Sequence, residues 1–130
     1  MVLDRSPYTR TLTMSTTNYS QLEVDFGQAT STAGAATVNK QQGIVVTEAL
    51  TTPAGGTYGL VLTNSAINGS SIVFVNVQRG TLTTGQPTVS TVTPVTGSAT
   101  IVLSNVALTG TFNGTLKLGF FVHQSTSLNS

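Results

Sequence analysis

At 130 residues the chain is one domain's worth of polypeptide, enough to bury about two-thirds of its unfolded surface without staples. Charged residues are 7% of it, against about 25% in an ordinary soluble domain, and 25 Thr, 13 Ser, 13 Gly and 8 Asn supply polarity through hydroxyls and amides. This excludes a solvated disordered chain and a long helix or coiled coil, and a net charge of +1 with no charge run leaves no electrostatic partner such as nucleic acid.

Seven of the nine charges fall in the first 48 residues, and only Arg79 and Lys117 follow. The organisation expected is an N-terminal arm over residues 1–36 with one strand, a module over 37–122, and a polar tail over 123–130. Within the arm, Leu22, Val24 and Phe26 alternate with Gln21, Glu23 and Asp25, the period-2 signal of a strand. In the module, Ile44 to Thr47 is β-branched throughout. Tyr58, Leu60 and Leu62 share one strand face, and Val73, Val75 and Val77 share another. Leu116, Leu118, Phe120 and Val122 alternate with Lys117, Gly119, Phe121 and His123. Turn signals separate these runs: Pro53-Ala54-Gly55-Gly56, Asn68-Gly69, Thr84-Gly85-Gln86-Pro87, Thr96-Gly97 and Asn113-Gly114. No window carries a 3.6-residue apolar stripe. The fold class expected is all-β, a single β-sandwich, jelly-roll or immunoglobulin-like, of about 7–8 short strands with an extended N-terminal arm.

Residues 53–64 align without gaps to residues 94–105, from Pro53 with Pro94 to Asn64 with Asn105, and five of the twelve positions are identical. After a four-residue insertion, Asn68-Gly69-Ser70 matches Asn113-Gly114-Thr115. Biased composition produces such matches by itself. A true duplication predicts two related β-arches packed face to face.

Chemistry is thinly represented. Without cysteine there are no disulfides, thiolate zinc sites or thiol nucleophiles. His123 is the one imidazole and reads as a terminal surface residue. Glu23 and Asp25 share a strand face at about 6–7 Å, a spacing that suits a carboxylate-pair hydrolase or two oxygen ligands of a cation, but also the guarded solvent face of an edge strand. No glycine loop matches a phosphate cradle. The expectation is a non-enzyme with no catalytic, cofactor or metal site. Met1 is followed by Val2-Leu3-Asp4-Arg5 with no apolar signal core, and no apolar run reaches the ~18 residues of a membrane span, so synthesis in the cytoplasm without a membrane partner is expected.

The residues that stand out are those of assembly. Arg5, Tyr8, Arg10 and Tyr19 are anchor-type residues, and Leu22, Val24 and Phe26 offer an apolar strand face for addition to a partner's sheet. Val73, Val75 and Val77 face away from Ile72 and Phe74, and Phe121 opposes Phe120. Strands apolar on both sides need cover on both faces, which a small sandwich cannot supply alone. A homo-oligomer is therefore expected, a trimer favoured, or docking on a larger lattice.

From Gln28 to Val122 the chain resembles a small β-rich module of tailed-bacteriophage structural proteins of the head-decoration, head-fibre and tail-fibre kind. The residues that carry it include Thr37-Val38-Asn39-Lys40, Gly43-Ile44-Val45-Val46-Thr47, and Leu50-Thr51-Thr52-Pro53-Ala54-Gly55. Gly80-Thr81-Leu82-Thr83-Thr84-Gly85-Gln86-Pro87, Gly97 to Val106 and Asn113-Gly114-Thr115-Leu116 continue it. The segment from Ala107 to Phe112 departs from the pattern, in which a His and small residues precede the Asn-Gly. The resemblance implies a virion component, often multimeric, located on the capsid surface and bound to the major capsid protein or another virion protein. It supplies no catalytic residues. The alternative expectation is a tail-fibre or host-recognition module binding glycans through Tyr58 or loop Asn residues.

Overall fold

The computed structural model describes residues 26–123, and within them the fold is all-β, with eight strands in two packed four-stranded sheets. In chain order these are β1 (Phe26–Thr30), β2 (Ala35–Thr37), β3 (Gln42–Val46), β4 (Thr57–Thr63), β5 (Ile72–Arg79), β6 (Pro87–Val95), β7 (Ser98–Asn105) and β8 (Leu116–His123). One sheet has the order β1-β3-β8-β5 and the other β2-β4-β7-β6. Every connection except β6–β7 crosses between sheets, unlike the paired hairpins of an immunoglobulin-type sandwich. The sheets begin N-terminal of residue 37: β1 lies parallel to β3, and β2 parallel to β4, so each sheet takes one edge strand from the segment read as arm.

The interior follows from alternation. Leu60 and Leu62 of β4 and Ala99, Ile101 and Leu103 of β7 meet Leu116, Leu118, Phe120 and Val122 of β8 and Val45 of β3. Each large side chain removed from water here contributes about 1.5–3 kcal/mol before entropy is counted. Strand β6 keeps both Val89 and Val92 against the core although they are three apart, because a bulge lies between Val89 and Thr91. The extra residue restores the inward parity that a regular strand would lose.

The internal echo is physical. β4 and β7 pair antiparallel with Leu60 opposite Ile101, which is the pair the alignment equates. β5 and β8 pair with Val75 opposite Phe120, equated once the insertion is allowed for. Each unit is an arch with one strand in each sheet, and an approximate two-fold axis through the sandwich exchanges them. Their end contacts match as well: Asn64 N donates to Gly97 O, and Asn105 N to Gly56 O, both at 2.9 Å. The arches therefore lie side by side within both sheets, not face to face as expected, because pairing strand against strand satisfies the backbone groups of both copies.

The corner between β1 and β2 is a tight turn in which Thr32 and Ala35 exchange backbone hydrogen bonds of 2.9 and 3.1 Å. Ala33 and Gly34 occupy its centre at φ 51° and 77°. Two successive positive φ values define a primed turn, which favours Asn-Gly over Ala-Gly. A left-handed Ala costs roughly 1–2 kcal/mol. Ala33→Asn is accordingly expected to raise stability by about 0.5–1 kcal/mol in a urea titration; a decrease would show that this turn does not bear the strain.

Candidate functional site

The outer face of the β1-β3-β8-β5 sheet departs from an ordinary solvated surface. Cross-strand register arranges it in rows. Phe26 lies beside Gln42, Gln42 opposite Phe121, and Phe121 opposite Phe74. The next row runs Gln28, Ile44, Gly119, Asn76, and the one after it Thr30, Val46, Lys117, Gln78. Ile72 stands opposite His123 at the far end.

Phe26, Phe74, Phe121 and Ile72 are 45%, 57%, 41% and 53% exposed, although each is long and apolar. The Phe74 and Phe121 rings stack with centroids 6.2 Å apart and planes 30° from parallel, forming a ridge. Beside the ridge, Gly119 contributes no side chain, and a Cβ there would meet nothing within 4 Å. The result is an open groove of about 430 Å³ between Ile44 and Asn76, walled by Phe26, Phe74 and Phe121. Lys117 and His123 are the only ionisable groups in these rows. The face can therefore bind by apolar contact and amide hydrogen bonds, with little electrostatic selectivity.

A second cluster sits at the β1–β2 corner. The Glu48 carboxylate accepts from Ser31 Oγ, from Tyr58 OH at 2.7 Å and from Gly34 N at 2.9 Å. Ser31 Oγ in turn accepts from Glu48 N at 3.0 Å. Burial acts to raise the Glu48 pKa, but hydrogen bonds from Ser31, Tyr58 and the backbone outweigh it and hold the carboxyl below its usual 4.5. Burial, assisted by the Glu48 charge and opposed by Ser31, pushes Tyr58 up to about 12. With every oxygen committed to a neighbour, this is a clasp joining the corner to β3 and β4.

Of the residues singled out in the sequence for partner binding, Phe26 lies on the aromatic face and lines its groove. Arg5, Tyr8, Arg10, Tyr19, Leu22 and Val24 lie outside the described residues, as do Glu23 and Asp25. His123 is exposed at the end of β8. Glu48 is the one carboxylate among the described residues, and its oxygens are taken by the clasp. Tyr58 is committed there too. The loop amides hold turns together: Asn68 Oδ1 accepts from Ser70 N at 2.8 Å, and Asn113, in the loop before β8, is bonded to Thr83 and Thr84 of the loop between β5 and β6. Among the described residues no group of three or more His, Cys, Asp or Glu could hold a metal ion.

Sequence reasoning passed over Gln42, Asn76 and Gly119, each an unremarkable outward position on its own strand. Only cross-strand register assembles them with the Phe residues into one surface. Comparison of the chain with protein-family models, with curated proteins and with solved structures gives no significant match.

Proposed function

We propose that the chain is a non-enzymatic structural protein of a tailed-phage virion that decorates or cements the capsid. The observation that carries this reading is the outer face of the β1-β3-β8-β5 sheet, where four large apolar side chains stand in water on a nearly uncharged surface. A protein rarely leaves such a patch uncovered unless another protein or another copy of itself covers it, the condition of a subunit in an assembly. The resemblance from Gln28 to Val122 supports the same reading and names the setting. In it the sandwich is the rigid body, and the residues before Phe26, with Arg5, Tyr8, Arg10, Tyr19, Leu22 and Val24, attach it to the shell.

Attachment by an arm of this composition rests on apolar burial and on strand addition, because the charges are too few to hold it. Deleting residues 1–19 removes Tyr8 and Tyr19 and leaves the two sheets, which close within residues 26–123. The truncated protein is expected to stay folded and to lose loading onto capsids that lack it. Raising salt from roughly 0.1 to 1 M shortens the screening length from about 10 to 3 Å and is expected to leave the full-length protein attached. Loading of the truncated form at full occupancy, or release of the full-length protein by salt alone, overturns this account.

A further inference from the structure

We infer that the aromatic face of the β1-β3-β8-β5 sheet is the contact between copies of this chain, with the Phe74–Phe121 ridge of one copy seated in the Gly119 hollow of the next. The face is self-complementary. It carries an apolar ridge and, one row away at the pleat spacing of about 6–7 Å, a side-chain-free hollow at Gly119 floored by backbone and flanked by Ile44 and Asn76. A small ligand would fill the hollow and leave the ridge, or stack on the ridge and leave the hollow. A second copy uses both.

Charge and size agree with that occupant. Lys117 and His123 are the only ionisable groups on the rows, so two copies bring little like charge together. An oppositely charged partner would have nothing to recognise. Two strands of five residues and two of eight, at about 3.3 Å per residue and 4.8 Å spacing, give a planar footprint of roughly 400 Å² per copy. Pairing covers roughly 800 Å² of planar surface, and the projecting Phe26, Ile72, Phe74 and Phe121 side chains carry the buried accessible area toward the ~1,000 Å² of the smallest specific interfaces. Aromatic side chains at its centre are the residues that dominate such contacts. Ridge into hollow closes as a reciprocal pair about a two-fold axis or head to tail in a ring of three, and both are closed assemblies.

Gly119 makes the test clean. A side chain added there points into open space in the single chain but into the ridge of a neighbour in the assembly. Sedimentation of the full-length protein at micromolar concentration is expected to give two or three times the 13.4 kDa chain mass. Gly119→Lys, and independently Phe74→Gln, are expected to reduce it to the single-chain mass with the β spectrum retained. Thr93→Lys, at an exposed position on the other sheet, is expected to leave the assembly intact. A wild-type monomer overturns the inference and leaves the face to residues 1–25, to a foreign protein or to a saccharide. An assembly that survives both Gly119→Lys and Phe74→Gln, or that Thr93→Lys dissolves equally, overturns it as well. Because the measurement uses the isolated protein, its failure is distinct from failure of capsid attachment.

Discussion

Asn105→Ala is expected to be among the most damaging single substitutions in the sandwich, lowering the free energy of unfolding by about 4 kcal/mol. Asn105 is fully buried at the end of β7 and uses its whole amide. Its Oδ1 accepts from Gln86 N at 3.0 Å and Ala107 N at 3.2 Å, and its Nδ2 donates to Thr52 O at 3.1 Å and Gly110 O at 2.8 Å. Four backbone groups from three separate loops thus bond to one side chain. Truncation strips Gln86 N, Ala107 N and Gly110 O of this partner, while Thr52 O keeps the bond from Phe112 N at 2.8 Å. Each buried unpaired group costs about 1–3 kcal/mol, less what water entering the space recovers. At roughly 4–8 °C per kcal/mol for a domain of this size, the melting temperature should fall by some 15–30 °C. The related Asn64, also fully buried, donates to Lys40 O at 2.6 Å and accepts from Ala66 N at 2.8 Å. Asn64→Ala should therefore cost about half as much, near 2 kcal/mol. Urea titration of both variants checks the ratio. Equal losses would show that hydrogen-bond number does not set the effect.

These two residues also show what could be read from the chain. Asn64 and Asn105 close the aligned segments, and the structure gives them equivalent places because the repeat is a true structural one. β4, β5 and β8 were legible because Leu60 and Leu62, Val73 and Val75, and Leu118 and Phe120 alternate with exposed residues over a full strand. β2 was not, since Ala35–Thr37 is three residues long and holds its place by parallel pairing with β4. β6 hides its period behind the bulge that puts Val89 and Val92 on one side. The aromatic face was half legible: Ile72, Phe74 and Phe121 announced a second apolar side. The hollow at Gly119 came only from the register that sets it between Ile44 and Asn76. The clasp was illegible, because Glu48 reads as an ordinary surface charge until Ser31 and Tyr58, 17 and 10 residues away, are folded against it.

That clasp predicts how stability depends on pH. Glu48 has a folded pKa below its usual 4.5, so the folded state binds its proton more weakly than the unfolded chain does. Its contribution is present above about pH 4.5 and is lost as pH falls below that value toward the folded pKa. Tyr58, raised from 10.0 to about 12, works in the opposite sense. Its contribution is complete below pH 10 and is lost as pH rises from 10 toward 12. Between those limits the clasp gives a flat plateau. Glu48→Gln keeps one acceptor oxygen but sets an NH₂ group against either the Gly34 N–H or the Ser31 and Tyr58 hydroxyls. Hydrogen bonds to a charged acceptor are worth about 1.5–3 kcal/mol each, so a loss of about 2 kcal/mol is expected on the plateau. The variant should also show a shallower acid limb, because Glu48 no longer titrates. Tyr58→Phe should cost about 1 kcal/mol, flatten the alkaline limb, and make the acid limb shallower too, because Glu48 loses one of the hydrogen bonds that lower its pKa. Denaturant titrations at steps from about pH 3 to 11 read both limbs against the linkage relation. An acid limb unchanged in Glu48→Gln would assign the loss to Asp4, Glu23 or Asp25, and would mean that the carboxylate at the β1–β2 corner orders the turn without setting the acid limit of the fold.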